Sequence, residues 1–278
     1  MNTLANTLFG NLISFIRRIL FCILSVGPIP NHVAFILDGN RRFAKKLNLP
    51  EGMGHRVGFQ SLISVLRYCF DLGVKYVSVY AFSIDNFKRK PEEVQSIMDL
   101  MVEKFNEMVE EESIVYQYSV RVYIIGNLSL LSDNVRLAAE KVMKATSSNN
   151  KSNLIICLAY TSTDEIVHAT QESCDDKWAK IQSSIDGEMM EGKREGCFVI
   201  KVADIERRMY MGVAPDPDIL VRTSGETRLS NFLLWQTSNC MLYSPRALWP
   251  EIGFLHIAWA FLEFQRTYPY LEKKRKEL

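Results

Sequence analysis

The stretch His32–Phe43, which reads HVAFILDGNRRF, decides the fold of this chain. It begins with a short apolar run, Val33–Leu37, of the kind expected for a strand that is covered on both faces. The run ends at Asp38, and Gly39–Asn40 then permit a tight turn before Arg41–Arg42. In open α/β sheets, ligands bind beyond the carboxyl ends of the strands. The stretch therefore predicts a buried strand with an anion site at its end.

The chemistry of this turn suits an anion that is held through a metal ion. Asp38 can reach a divalent cation, and the backbone N–H groups at a helix start favour negative charge. The guanidinium groups of Arg41 and Arg42 match phosphate oxygens. A metal-bound diphosphate is therefore the ligand that we expect. The alternative is an ordinary strand-to-helix turn whose arginines are solvated.

The composition narrows the class of protein. The chain has 278 residues, 47% of them hydrophobic, which suits one large α/β domain or two small ones with a real core. The formal net charge is only +1, whereas nucleic-acid-binding proteins show a basic excess or stripe. We therefore expect no nucleic-acid partner. The 6 cysteines form no CxxC pair, which favours reduced thiols in a cytosolic environment.

Residues 1–27 differ from the rest of the chain. The stretch Leu8–Val26 is mostly apolar, but Arg17 and Arg18 argue against a membrane-spanning helix, which needs ~20 predominantly apolar residues. We expect an amphipathic helix that lies in a membrane interface or against a partner, the alternative being an ordinary packed helix. The stiff sequence Gly27–Pro30 divides a segment 1–27 from a domain 28–278. The apolar helical face consists of Leu8, Leu12, Phe15, Ile16, Ile19 and Ile23.

Apolar runs and helical periodicity alternate along the rest of the chain. The pattern predicts four further strands, at Lys75–Phe82, Val120–Ile125, Leu154–Ala159 and Ile219–Arg222. It predicts helices at Gly54–Leu72, from Pro91 to about Glu112, from Ser132 to about Thr146, from Thr163 through His168, at Val202–Met211 and from Phe254 onward. Between Ser173 and Gly196 the pattern weakens, which indicates a surface insertion or mobile loop. The alternation predicts an α/β fold, with a mainly parallel central sheet flanked by helices.

Two polar clusters lie beside the first two predicted strands. The segment Gly52–Gly58, GMGHRVG, offers His55 as a donor and glycines that allow close backbone approach, although a simple turn would look the same. The segment Phe82–Arg89, FSIDNFKR, ends the second strand. Its Asn86 could position a substrate proton or water and its Arg89 could hold phosphate, but the alternative is a surface loop.

A third cluster lies in the segment 218–231, DILVRTSGETRLSN. A buried strand delivers Arg222 to its carboxyl end, and Arg228 and Ser230 follow in a short polar loop. Charge-assisted hydrogen bonds contribute ~1.5–3 kcal/mol each, so these three donors suit a second anion. The alternative is that Glu226 neutralises one of the two arginines in a structural pair.

The helix from Pro91 is the natural wall for an apolar substrate. It would span roughly 30 Å, and its methionines suit a flexible chain, although ordinary core packing explains any single residue of that stripe. A Walker P-loop and a GxGxxG fingerprint after the first strand are both missing, so nucleotide binding has little support. Two anion sites beside an apolar wall indicate two phosphorylated substrates or one elongated one.

These motifs resemble those of the cis-prenyltransferases in order and spacing. The resemblance rests on HVAFILDGNRRFAKK, GHRVG, YAFSIDNFKR and DILVRTSGETRLSNFLLWQ followed by LWPE, and extends from about Pro28 to Gln265. Within the family, the chain looks most similar to eukaryotic dehydrodolichyl diphosphate synthases, particularly plant members, and to rubber-type enzymes. The resemblance implies the cis-prenyl synthase fold. It also implies condensation of isopentenyl diphosphate onto farnesyl or longer allylic diphosphate, with Mg²⁺.

The resemblance also implies a role for each matching residue. Asp38 would bind the metal and assist departure of the allylic diphosphate, and Asn86 matches a position linked to proton removal. The residues implied around the allylic diphosphate are Gly39, Asn40, Arg41, Arg42, His55 and Arg89. Those implied for isopentenyl diphosphate are Arg222, Arg228 and Ser230.

Three departures from the bacterial family pattern matter. Met241 stands where homodimeric members carry a metal-binding glutamate, and the tail TYPYLEKKRKEL lacks their Arg-x-Gly motif. Both resemble eukaryotic catalytic subunits that work with a Nogo-B-receptor-like partner, so we expect a heteromeric enzyme on the cytosolic face of the endoplasmic reticulum. Glu51 stands where bacterial members have a basic residue.

Two other functions fit parts of the sequence. A non-catalytic scaffold subunit of the same complex would share the fold, but such subunits have lost the aspartate and arginine motifs that this chain keeps. A metal-dependent phosphohydrolase would need further carboxylates around the metal that Asp38 binds. Product length is left open by the sequence, as is the choice between a dolichol-type and a rubber-type product.

Overall fold

A parallel sheet forms the centre of the computed structural model, which describes residues 19–50, 52–186 and 199–277. Its strands are β1 His32–Ile36, β2 Tyr76–Ser83, β3 Val120–Ile125, β4 Ser152–Tyr160, β5 Ile219–Arg222 and β6 Met241–Tyr243. They form a 6-stranded sheet in the order β3-β4-β2-β1-β5-β6, and every neighbouring pair is parallel. The predicted α/β fold is confirmed.

The connecting segments are mostly helical. The helices are α1 Asn40–Lys46, α2 Met53–Asp71, α3 Pro91–Met108, α4 Ile114–Gln117, α5 Asp133–Ala145, α6 Ser162–Asp186, α7 Val202–Glu206 and α8 Phe254–Lys276. A short 3-10 helix, Ile84–Lys88, follows β2, and another, Trp249–Glu251, precedes α8.

Strand side chains alternate between two cores because successive residues of a strand point to opposite faces of a sheet. Val33 and Phe35 enter the larger core, whereas Ala34 and Ile36 enter the smaller one. The larger core is covered by α2, α3, α5 and α8 through residues such as Leu66, Phe105, Val142 and Phe261. The smaller core is covered by the segments that carry Met211, Phe232 and Leu233.

The strand order places the functional end of the sheet. β1 lies between β2 on one side and β5 on the other, so the chain changes direction across the sheet at β1. At such a switch point the connections leave in opposite directions and open a crevice at the carboxyl ends of the strands. The turn that begins at Asp38 lies at this crevice.

The prediction of a loop from Ser173 is wrong, because α6 continues to Asp186. The polar pattern that suggested a loop is that of a solvated helix, which contacts α7. Ser173 is buried, and its hydroxyl donates to the carbonyls of Ala169 at 2.7 Å and Asp204 at 3.1 Å. Lys177 pairs with Asp204 at 3.5 Å. Residues 187–198 of the predicted insertion lie outside the described residues.

Smaller differences concern element ends. The helix predicted to reach about Glu112 ends at Met108 and is followed by the separate α4. The helix predicted to reach Met211 ends at Glu206. The sequence pattern missed β6, which is only 3 residues long.

The described part of the amino-terminal segment is helical at residues 19–24 and packs against the domain. Leu24 is 1% exposed, and the Phe21 ring stacks on Phe254 with 5.2 Å between centroids. Ile19 and Ile23 remain 45% and 54% exposed. Residues 1–18 lie outside the described residues, so the membrane or partner role stays a prediction. Among the described residues, no helix combines the length and apolarity needed to cross a membrane.

Candidate active site

A cavity of about 650 Å³ opens at the carboxyl ends of β1, β2 and β5. Its body is apolar and its mouth is polar. The apolar residues of α2 and α3 along it are Phe59, Leu62, Ile97, Leu100, Met101, Phe105 and Met108. The predicted site residues that line it are Asp38, Asn40, Arg41, His55, Asn86, Arg89, Arg222, Arg228 and Ser230. The structure thus brings together all the predicted site residues except Gly39 and Arg42, which adjoin the cavity without lining it.

The link between β1 and β5 is an ion pair at the cavity mouth. Arg222 donates from Nη2 to Asp38 Oδ2 at 2.9 Å, and from Nη1 to Ser230 Oγ at 2.6 Å and to the Arg228 carbonyl at 2.5 Å. Arg42 donates to Asp38 Oδ1 at 3.1 Å. Burial alone would raise the pKa of Asp38, but the hydrogen bonds from Arg222 and Arg42 outweigh it and hold the pKa below its usual value. Asp38 is therefore a carboxylate at neutral pH.

The turn after Asp38 requires glycine. Gly39 has φ +121°, and a Cβ there would lie 2.7 Å from Ser224 Oγ and 2.9 Å from the Trp249 nitrogen. Those two residues donate hydrogen bonds to the Asp38 carbonyl, at 2.8 Å and 2.9 Å. The turn is thus closed on two sides, which fixes the position of Asp38.

The arginines at the mouth are paired with carboxylates. Glu93 accepts from Arg89 at 2.9 Å and lies 3.8 Å from Arg41, while Glu226 pairs with Arg228 and lies 3.5 Å from Arg42. The alternative interpretation, in which Glu226 neutralises one of Arg222 and Arg228, is thus realised for Arg228, whereas Arg222 pairs with Asp38. An anion entering the mouth must compete with these carboxylates, and a cation entering with the anion would ease that competition.

Three buried polar atoms at the mouth have no hydrogen-bond partner among the described residues. They are Arg222 Nε, His55 Nε2 and Asn40 Oδ1. Burial and the neighbouring charge of Arg89 lower the pKa of His55, so its ring is neutral at neutral pH. Buried polar groups in proteins are nearly always hydrogen-bonded, so these atoms mark the place where a polar ligand belongs.

Asn86 is held by the chain itself. Its Oδ1 accepts the Ser83 N–H at 3.1 Å, and Ser83 Oγ accepts the Asp85 N–H at 3.1 Å, which caps the short helix after β2. The amide oxygen is therefore used structurally, and the NH₂ group is what Asn86 offers to a ligand.

The glycines of the GMGHRVG segment serve helix packing. A Cβ on Gly54 would lie 2.3 Å from the Asn40 carbonyl oxygen, and one on Gly58 would lie 2.1 Å from Asn40 Oδ1. Both glycines are inside α2. They allow α1 and α2 to approach closely, and that approach brings Asn40 and His55 to the same mouth.

The metal-binding capacity of the site rests on Asp38. The described residues contain no group of three or more His, Cys, Asp or Glu side chains arranged to hold a metal ion. Mg²⁺ is commonly bound by one or two carboxylates together with substrate phosphates and water. A single aspartate beside an anion site fits that mode and does not fit an all-protein metal cage.

Two residues of the site escaped the sequence analysis. Glu93 is spaced four residues from Arg89, a helical pairing distance that the sequence displays. Asn231 shapes the loop after β5: its Oδ1 accepts from the backbone N–H and the hydroxyl of Thr163, both at 3.1 Å. Thr163 is 68 residues away in the chain, so no local pattern indicates this contact.

Comparisons with known proteins show which proteins the chain is similar to. The family model described as "Putative undecaprenyl diphosphate synthase" matches residues 36–270. A dehydrodolichyl diphosphate synthase of Solanum lycopersicum, CPT3, is 59% identical over 96% of this chain and 95% of its own length. The human dehydrodolichyl diphosphate synthase complex subunit DHDDS is 41% identical over 92% of this chain and 73% of its own length. The crystal structure of lavandulyl diphosphate synthase from Lavandula x intermedia, in complex with dimethylallyl diphosphate, is 26% identical, with a TM-score of 0.71 over 85% of this chain and 95% of that one.

Proposed function

The chain belongs to the cis-prenyltransferase family, and we propose that it is the catalytic subunit of a heteromeric enzyme that condenses isopentenyl diphosphate onto farnesyl or longer allylic diphosphate. The product is a long-chain cis-polyprenyl diphosphate for dolichol or rubber-type polyisoprenoids. The observation that carries the proposal is the Asp38–Arg222 ion pair at the mouth of an apolar cavity. It joins an acid to an anion-binding arginine where a hydrocarbon chain can be housed.

The allylic diphosphate lies on the β1 side of the mouth in this proposal. Arg41, Arg42 and Arg89 neutralise its charge, and it accepts a hydrogen bond from the otherwise unpartnered His55 Nε2, while Asn40 lines the same mouth. Ionisation of the allylic C–O bond requires stabilisation of the leaving diphosphate, which preorganised cationic donors supply. Mg²⁺ bound at Asp38 would add Lewis-acid stabilisation of the same leaving group.

Isopentenyl diphosphate lies on the β5 side, against Arg222, Arg228 and Ser230. Its alkene attacks the allylic carbon, so that a C–C bond forms as the C–O bond breaks. The intermediate then loses a proton to a diphosphate oxygen, which leaves a cis double bond. Asn86 donates its NH₂ group to orient the reacting groups, because its carbonyl oxygen is occupied by Ser83.

A second subunit completes the enzyme in this proposal, and a Nogo-B-receptor-like protein is the partner that we expect. Met241 is in register with Ile219, at the end of β5 opposite to Arg222. A metal-binding side chain at that position would lie away from this chain's own Asp38. β6 is an edge strand of the sheet, and its Leu242 is 53% exposed. An exposed edge with an apolar side chain suits subunit contact.

The enzyme is placed on the cytosolic face of the endoplasmic reticulum in this proposal. The exposed side chains of Ile19 and Ile23 support it, since they continue the apolar face predicted for the preceding residues. An interfacial helix of this kind keeps an enzyme near a lipid product.

The test is incorporation of labelled isopentenyl diphosphate, with farnesyl diphosphate and Mg²⁺, into butanol-extractable product. The chain is assayed alone and with a Nogo-B-receptor-like subunit. We expect turnover only in the mixture, and strong turnover by the chain alone would contradict the heteromeric part of the proposal. Asp38→Ala should abolish turnover while the two subunits still co-purify, whereas the matched surface variant Asp133→Ala should change neither. Full turnover with Asp38→Ala would indicate a scaffold subunit.

A further inference from the structure

The loop that carries Ser230 has an unusual backbone conformation. Ser230, Asn231 and Leu233 all have positive φ angles, of 49°, 59° and 48°. Asparagine adopts this left-handed conformation more readily than most residues, whereas it is unfavourable for serine and still more so for leucine. Such a backbone persists only where the surrounding structure holds it. The contacts that hold this loop therefore determine where Ser230 lies.

The first two residues of α6 hold the loop from one side. The Ser162 N–H donates to the Asn231 carbonyl at 2.8 Å, and the Ser162 hydroxyl accepts the Leu234 N–H at 2.9 Å. The N–H and the hydroxyl of Thr163 both donate to Asn231 Oδ1 at 3.1 Å. The first N–H groups of a helix have no acceptor within the helix, so Asn231 accepts hydrogen bonds that α6 itself cannot. We call Ser162, Thr163, Asn231 and Leu234 the loop brace.

The sheet holds the same loop from the other side. Arg222 of β5 donates to Ser230 Oγ at 2.6 Å. The ring of Tyr80, on β2, stacks on Phe232 with 4.4 Å between centroids. Arg222 and Tyr80 are each in register with Ile36 of β1, so they reach the loop from one level of the sheet. Because Ser230 directly precedes Asn231, the direction of its hydroxyl depends on the loop brace as well as on the sheet.

We propose that Asn231 and Thr163 are positioning residues for isopentenyl diphosphate, and that the loop brace sets the affinity of the site for this substrate. The inference rests on the proposed function, in which Arg228 and Ser230 bind that diphosphate. Without the brace, the loop backbone relaxes toward the ordinary right-handed region, and the Ser230 hydroxyl leaves its place beside Arg222. Thr163 does not line the cavity, so its effect passes through Asn231.

The effect should be confined to one substrate. The allylic diphosphate lies against α1, α2 and the 3-10 helix after β2 in the proposed function, and none of these elements contributes a residue to the loop brace. A change in the brace should therefore alter the KM for isopentenyl diphosphate and leave the KM for farnesyl diphosphate unchanged. A general loss of folded enzyme would not separate the two constants in this way.

The experiment measures both KM values with the chain and its partner subunit together. Asn231→Gly removes both hydrogen bonds from Thr163 but still allows the left-handed backbone, and it should raise the KM for isopentenyl diphosphate about tenfold. Thr163→Val removes only the hydroxyl bond and should raise this KM about threefold. The KM for farnesyl diphosphate and the value of kcat should not change in either variant.

Three further variants separate positioning from a merely structural role. Thr163→Ser keeps the hydroxyl and should restore wild-type KM values. Thr170→Val is the matched control, since Thr170 is an exposed α6 residue whose hydroxyl donates to the Ile166 carbonyl at 2.7 Å, and it should leave both constants unaltered. The double variant Thr163→Val/Asn231→Gly should behave like Asn231→Gly alone, because both changes remove the same contact.

The outcomes distinguish the loop brace from the proposed function. An unchanged KM for isopentenyl diphosphate in Asn231→Gly, or an equal rise for both diphosphates, would overturn the role of the brace while turnover by the wild type upholds the proposed function. Should Asn231→Gly fail to fold, Thr163→Val decides instead, because Thr163 is exposed. Absence of turnover from the wild-type complex would overturn the proposed function itself, on which the inference depends.

Discussion

The two ends of the central sheet differ in whether their buried polar groups have hydrogen-bond partners. At the amino end, the His32 ring is bonded on both nitrogens, to the Pro215 carbonyl at 2.6 Å and to Ser78 Oγ at 2.8 Å. Asp218 accepts the backbone N–H groups of Asn31 and His32 and pairs with Arg275 at 2.6 Å. Each of these polar groups therefore has a hydrogen-bond partner within the chain.

The carboxyl end contains the same kinds of residue, but some of their buried polar atoms lack a hydrogen-bond partner. Within the described part of the chain, Arg222 Nε, His55 Nε2 and Asn40 Oδ1 have no partner. A buried polar group without a hydrogen bond lowers the free energy of unfolding by about 1–3 kcal/mol, so these atoms make the unliganded protein less stable. The difference separates a structural polar cluster from one that is arranged for a ligand.

Removing the negative charge at the carboxyl end should have the largest effect. Asp38→Asn keeps the size of the side chain and an acceptor for Arg222, but loses the carboxylate. We expect turnover to fall by about 10²–10³-fold, the range for loss of one preorganised electrostatic contact, with a Tm close to the wild type. Steady-state kinetics of the reconstituted enzyme and a thermal melt check this. Retained turnover would place the essential acid elsewhere.

The corresponding change at the amino end should act on stability alone. Asp218→Ala leaves Arg275 and two backbone N–H groups without their acceptor, which should reduce the free energy of unfolding by about 3 kcal/mol. The value of kcat at a temperature where the variant is folded should not change. Urea unfolding measures the loss, and Asp218→Asn, which keeps an acceptor oxygen, should lose less. A large fall in kcat would contradict the separation of the two ends.

How much of the structure could be predicted from the sequence depends on how far apart in the chain the contacting residues are. β1 and β5 were predictable because a strand buried on both faces is a continuous apolar run, and the site acids and bases directly follow those runs. Asp38 and Arg222 were therefore expected at the carboxyl ends of their strands, but their ion pair was not predicted. β6 was missed because three residues carry no pattern, and the end of α6 was misjudged because a helix solvated on most of its surface resembles a polar loop.

The hydrogen-bond partners of the polar groups at the amino end could not be predicted from the sequence. Asp218 and Arg275 are 57 residues apart, and the contact of Asp218 with Asn31 spans 187 residues. The contact of Glu226 with Arg42 likewise depends on how β1 and β5 lie side by side, whereas its pairing with Arg228, two residues away, is local. Local patterns indicate which residues reach an end of the sheet, but only packing determines which of them pair.

The amino end should also impose a pH dependence on stability. Burial lowers the pKa of His32 to about 4, below the value near 6.5 of an unfolded chain. The unfolded state therefore binds more protons below pH 6.5, so stability is complete above that pH and falls as the pH drops toward 4. The part due to His32 should reach about 2 kcal/mol between pH 7.5 and pH 5. Urea unfolding at both pH values, for the wild type and His32→Asn, isolates it; equal losses in the two proteins would contradict the assignment.

The smallest effect on stability is expected from an exposed arginine at the carboxyl end. Arg41 has a side chain that is 67% exposed and lies 3.8 Å from Glu93, a distance at which a surface pair contributes little. Arg41→Gln should therefore change the free energy of unfolding by less than about 0.5 kcal/mol. It should nevertheless raise the KM for the allylic diphosphate by about tenfold, because one charge-assisted contact is lost.

Arg266→Gln is the matched control for Arg41, since Arg266 has a similarly exposed side chain and pairs with Glu263 on α8. It should leave both the stability and the KM unchanged. If Arg41→Gln behaves like Arg266→Gln, the exposed arginine takes no part in ligand binding, and the anion site contracts to the buried groups around Asp38 and Arg222. If the KM rises as expected, the site extends to the surface, where charge is held for the ligand at almost no cost in stability.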